Sequence, residues 1–153
     1  MSSATGRTKV AAYYKRGGRP LTIEEIERKL ALHPFLPPPQ HVIILDGDVR
    51  VAQRVAVGMT PAKQRVVVLT PIADDETVLH ETLHSNGLKE LGAQIMSRIL
   101  TIREKLVLFP RRVRYEECGG CTTHITLLKQ YGLQPEDGVW NYPKIKHYYL
   151  VES

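Results

Sequence analysis

The sequence predicts a small α+β fold in which a mixed β-sheet packs on a short helix, a second helix follows it closely, and a cysteine-containing appendage ends the chain. Three observations carry this. Residues 41–46 (HVIILD) and 65–70 (RVVVLT) are β-branched apolar runs of strand length. From Val78 onward, apolar residues recur at helical steps of three and four, first to Leu83 and then from Leu88 to Leu106. A chain of 153 residues with 42% hydrophobic content can bury one sizeable core, so one main domain over 21–110 is expected, with a basic arm over 1–20 and an appendage over 111–153 packed on it.

Taken in order, the arm ends in Lys15-Arg16-Gly17-Gly18-Arg19-Pro20, a basic joint able to touch phosphates or to act as a solvated tail or subunit contact. Thr22 with Glu25 forms a capping-box pattern, and Ile23, Ile26 and Leu30 give a short amphipathic helix ending before His33-Pro34. Pro37-Pro38-Pro39 is a stiff connector into the strand at 41–46. Gly47-Asp48 reads as a turn, 49–57 as a second strand and 61–64 as a loop before the third, which Pro71 stops; the three form a small meander. His33 and His41 flank the prolines without ligand-like spacing and read as surface residues. Asp74 or Asp75 caps the next helix, whose Val78, Leu79 and Leu83 face the core and which ends near Asn86-Gly87. In the helix after it, Leu88, Leu91, Ile95, Ile99, Ile102 and Leu106 form a stripe. Ala93 and Ser97 lie on the side of Glu90 and let that helix approach its predecessor closely.

The segment His80-Glu81-Thr82-Leu83-His84 carries the chemistry. Two histidines one helical turn apart can give one imidazole nitrogen each to a single Zn²⁺, and the intervening Glu81 can take a proton from a water on the open side of the metal. Gly87 can end the helix in a left-handed turn that returns the chain, so that Glu90 supplies a third ligand. Three protein ligands and a water are the set of a catalytic zinc rather than a closed structural one. The alternative is a surface helix with two solvated histidines and a first-turn glutamate favoured by the helix dipole.

These residues resemble the zincin metallopeptidases with a glutamate third ligand, the gluzincins, and most of all the very short minigluzincins; the similarity covers about 42–106. The resemblance implies Zn²⁺ held by His80, His84 and Glu90, Glu81 as general base, and a peptide or protein substrate laid along the edge strand. The spacing from His84 to Glu90 is the short, metzincin-like one with Glu in place of the final His, yet Met96 falls inside the second helix and Met59 is upstream, so no Met-turn follows. A tyrosine or histidine among Tyr115, His124, Tyr131, Tyr142 and His147 would supply the second oxyanion donor. Nickel, cobalt or iron suits the same ligand set.

Cys118-Gly119-Gly120-Cys121, with His124 and His147, offers a second, structural zinc site, and it equally allows a disulfide, a redox pair or free thiols at a helix start. A net charge of +5 and a pI near 9.3 permit attraction to acidic partners, including weak nucleic-acid contact through the arm. Two other functions follow from these features: a zincin-fold regulatory or binding module without proteolysis, and a basic nucleic-acid-binding protein in which residues 15–19 with Arg111, Arg112 and Arg114 line a phosphate surface. No apolar run is long enough to span a bilayer and no signal core opens the chain, so a cytoplasmic protein without a membrane partner is expected. Oligomeric state is not legible.

Overall fold

The helix expected after Thr22, α1 (Ile23–Ala31), forms where the sequence places it, in a computed structural model that describes residues 14–45, 49–51, 54–55, 58–59, 65–118, 134–135 and 145–151. Thr22 Oγ1 accepts from the Glu25 amide at 3.3 Å, and the Glu25 carboxylate accepts from the Thr22 amide at 3.2 Å, which is the reciprocal box that satisfies two otherwise orphaned donors. Its other end is held by Arg111, whose amide donates to the Ala31 carbonyl and whose guanidinium donates to the carbonyls of Leu30, Pro34 and Leu36. A cation there also suits the helix dipole.

The strands are β1 (His41–Leu45), β2 (Val49–Val51), β3 (Arg54–Val55), β4 (Gly58–Met59), β5 (Val66–Leu69), β6 (Tyr115–Glu117), β7 (Gln134–Pro135) and β8 (Ile145–Leu150). They build a five-stranded sheet in the order β4-β5-β1-β8-β6 and a three-stranded sheet in the order β3-β2-β7. This differs from the expected meander. β1 and β5 run parallel, with His41 opposite Val66, and the chain crosses over between them. The physical reason is in the runs themselves: all four residues of β5 and the last four of β1 are buried, and strands covered on both faces read as continuous apolar stretches rather than alternating ones. The single strand expected over 49–57 is broken, because Val51 pairs with Arg54 and the chain reverses between them. β8 lies hydrogen-bonded between β1 and β6, so Ile145–Leu150 belongs to the body of the sheet and is not an addition to it.

α1 covers one face of this sheet. Ile26 and Leu30 meet Val42, Ile44, Val67, Leu69 and Tyr148 in one buried cluster, which Val78 of the next helix joins. That helix, α2 (Asp75–Ser85), is followed by α3 (Glu90–Arg103) and a short 3₁₀ turn, Glu104–Leu106. Leu79 and Leu83 pack on Ala93, with Leu36, Leu88 and Leu100 partly buried around them. Ala93 and Ser97 are thus the buried face of α3, as their small size predicts. The consequence for the rest of α3 is that its apolar stripe faces outward: Leu91, Ile102 and Leu106 are each more than two-thirds exposed.

His33 is not a surface residue. It is buried, and its Nε2 lies 2.8 Å from Glu104, which also pairs with Lys29, so α1 and the end of α3 are tied by one carboxylate. Burial, against the opposing pull of Glu104, holds His33 below its ordinary 6.5, and burial does the same for His41. A neutral His33 donates its Nε2 proton to Glu104. Because the unfolded chain then binds protons more readily, the stability from these two residues is full above about pH 6.5 and drains as the pH falls from there toward the lowered folded values. We expect a lower urea midpoint at about pH 5.5 than at about pH 7.5, with a smaller drop in the His33→Gln variant, and urea titrations at the two pH values check it.

Candidate metal centre

α2 begins as the aspartate pair predicts. Asp74 caps it, its carboxylate accepting from the Thr77 amide at 3.0 Å while Thr77 Oγ1 accepts from the Asp74 amide at 3.3 Å. The turn before the cap is fixed by Arg16, whose guanidinium donates to the carbonyls of Pro71 at 3.0 Å and Ala73 at 2.9 Å. Arg16 therefore works on its own chain rather than on a phosphate. Arg111 is likewise hydrogen-bonded to carbonyls, and the exposed Arg114 pairs with Glu116 at 3.1 Å.

The helix ends in a Schellman turn. Gly87 has φ +95°, its amide donates to the His84 carbonyl at 2.9 Å, and the Leu88 amide donates to the Leu83 carbonyl at 3.2 Å. The Asn86 amide group donates to the Pro37 carbonyl at 2.9 Å and anchors the turn to the proline connector. This geometry returns the chain so that Glu90, the first residue of α3, faces the two histidines. A Cβ on Gly87 would meet nothing within 4 Å, so the cost of Gly87→Ala comes from the backbone alone. We expect a loss of about 1–2 kcal/mol in unfolding free energy together with weaker metal binding, measured by urea titration and metal titration of the same variant.

His80, Glu81 and His84 bring one ligand atom each within 4.8 Å of one another, so this group can hold a metal ion. Glu90 closes on the same two rings. His80 Nε2 and His84 Nε2 are 3.1 Å apart, Glu90 Oε2 lies 3.0 Å from His84 Nε2, and Glu90 Oε1 lies 3.2 Å from His80 Nε2. Donors placed tetrahedrally around an ion at the usual zinc distances are about 3.3–3.4 Å apart, close to the 3.0–3.2 Å between these two nitrogens and the two Glu90 oxygens. The rings meet edge to face, with centroids 4.7 Å apart. Burial pushes the Glu90 carboxyl up, and His80, the Gln94 amide and His84 bring it to a net value below its ordinary 4.5.

The tautomer of His84 is fixed by a neighbour that sequence inspection did not find. Its Nδ1 lies 2.8 Å from the Leu88 carbonyl, which can only accept, so Nδ1 carries a proton. In the neutral ring Nε2 is then a lone pair, aimed at the His80 ring nitrogen and at a carboxylate oxygen. A lone pair beside a second imidazole and a carboxylate is the donor set that a divalent cation takes. The glycine turn is legible in the chain, but the direction of the Leu88 carbonyl is a property of the folded turn.

No protein-family model matches the chain, and neither the curated proteins nor the solved structures contain a match. The site is therefore argued from its own geometry. Glu81 is 8% exposed, with a carboxylate oxygen within 4.8 Å of a ring nitrogen of each histidine. β4 forms the edge of the main sheet, runs antiparallel to β5 and touches α2. Of the candidate oxyanion donors, the Tyr115 hydroxyl is buried and donates to the Pro39 carbonyl, so it is not available. His147 Nε2 lies 2.9 Å from His41 Nδ1 across β1 and β8, which makes His41 a paired residue rather than a surface one. The other three, His124, Tyr131 and Tyr142, are outside the described residues.

The second cluster is brought together in part. The Cys118 amide donates to the His147 carbonyl at 2.8 Å, placing Cys118 beside His147 at the end of the β6–β8 ladder. Cys121 and His124 lie outside the described residues.

Proposed function

We propose that the protein is a metal-dependent peptidase in which His80, His84 and Glu90 hold a Zn²⁺ ion and Glu81 is the general base. The observation that supports it is the His84 Nε2 lone pair, made available by the Leu88 carbonyl and set among a second imidazole and a carboxylate at 3.0–3.1 Å. When bound by such a set, a divalent ion supplies an activated water and a polarised carbonyl. The chain's own groups do the rest. A peptide paired with β4, the edge strand of the main sheet among the described residues, would pass beside α2. The Glu81 carboxylate accepts the proton of the attacking water and passes it to the leaving amine.

The test is metal content and hydrolysis in one series. Protein purified without added metal is expected to carry one zinc at this site, His84→Ala to lose it, and a chelator to abolish hydrolysis of a mixed peptide library that zinc then restores. Bound metal without turnover of any peptide would overturn the hydrolytic part of the proposal, and a wild-type protein that takes up no metal would overturn all of it.

A further inference from the structure

The apolar stripe of α3 serves neither the core nor the candidate site. Leu91, Ile95, Ile99, Ile102 and Leu106 are between 43% and 76% exposed, and the chain beyond the helix adds Leu108 at 83% and Phe109 at 87%. The bonds from Arg111 to the Pro34 and Leu36 carbonyls hold this segment beside Phe35, which is 98% exposed. Together these side chains expose on the order of 1,000 Å², against about 300–600 Å² for the largest apolar patch of a typical monomer. So large a patch requires an occupant.

Charge selects it. At about 100° per residue, Arg98 borders the stripe on one side and Arg103 on the other, each roughly 60–80° from its midline, and exposed Lys105 follows in the 3₁₀ turn after the helix. The acidic residues lie away from this face: Glu90 points to the histidines, and Glu104 is held by Lys29 and His33. In a two-fold antiparallel pair of such helices each border would meet its own copy, cation against cation. An anionic plane meets all three at once. Among the described residues no helix is long and apolar enough to cross a membrane, so the contact is with a surface and not a span.

We propose that this face docks on an anionic lipid bilayer, with Leu108, Phe109 and Phe35 entering the headgroup boundary and α3 lying along it, its arginines and lysine at the level of the phosphates. The proposal does not depend on the peptidase reading. It is tested by co-sedimentation of the full chain with vesicles of equal phosphatidylcholine and phosphatidylglycerol. Pelleting is expected with these vesicles, with at least tenfold weaker partitioning onto phosphatidylcholine alone and in about 0.5 M salt. A Leu108→Ser/Phe109→Ser double variant, unchanged in far-UV circular dichroism because both residues are exposed, is expected to lose at least tenfold in partitioning. Arg98→Gln/Arg103→Gln is expected to lose the preference for anionic lipid. Failure to pellet with the mixed vesicles would overturn the proposal. So would a stable dimer in sedimentation equilibrium that becomes monomeric in Ile95→Glu, since a second copy would then be the occupant, and equal binding to neutral vesicles would overturn the role of charge.

Discussion

Glu81→Gln is expected to lower kcat/KM for peptide hydrolysis by about three orders of magnitude while leaving the metal content of the protein unchanged. The substitution keeps the shape of the side chain and removes its capacity to take a proton. It also leaves the candidate ligand atoms of His80, His84 and Glu90 in place, with the two ring nitrogens 3.1 Å apart and each 3.0–3.2 Å from a Glu90 oxygen. Metal content by elemental analysis and initial rates on the same preparation check it. The split between the two readouts is the informative part. Loss of metal in Glu81→Gln would make the residue a ligand, as its place within 4.8 Å of both ring nitrogens permits, and would return Glu90 to an ordinary first-turn glutamate. Retained turnover would remove the base assignment altogether.

The candidate site was legible because its parts are local. Asp74, His80, His84, Gly87 and Glu90 fall within seventeen residues, and each acts through a rule of short range: a cap, a one-turn repeat, a left-handed turn, a helix start. The sheet was less legible because pairing is not local. Continuous burial of β1 and β5 was visible as apolar runs, but the insertion of β8 between β1 and β6 joins positions about a hundred residues apart, as in the pairing of Ile43 with His147. The polar residues whose partners the sequence did not disclose share a cause. His33, Arg16 and Arg111 are polar, and sequence patterning assigns polar residues outward, whereas each is drawn inward by a specific acceptor: Glu104, or carbonyls left over at a turn or helix end. The stripe of α3 was read correctly as a helix and only its direction was undetermined. Periodicity establishes that one face is apolar, and it does not say whether that face or the small-residue face meets the neighbour.

That choice of face has an energetic consequence that can be measured. Leu79 is fully buried where α2 meets α3, against Leu83 and Ala93. Truncation to alanine leaves a cavity between two close-packed helices, and Leu79→Ala is expected to lower the unfolding free energy by about 3 kcal/mol, a large part of the 5–15 kcal/mol typical of a domain. The same residue lies one position before His80 and on the seam that fixes the distance from α2 to Glu90. Relaxation of the helices into the cavity would therefore open the donor triangle as well as weaken the fold. Ile26→Ala separates the two effects. Ile26 is equally buried, but it sits on α1 in the cluster that faces the sheet, outside the seam of α2 with α3, so its loss is expected to cost a similar amount of stability and leave metal affinity at the wild-type value. Urea titrations of both variants, with metal titrations well below their unfolding transitions, decide the matter. Equal weakening of metal binding in the two would mean that the site follows global stability rather than the packing of α2 on α3.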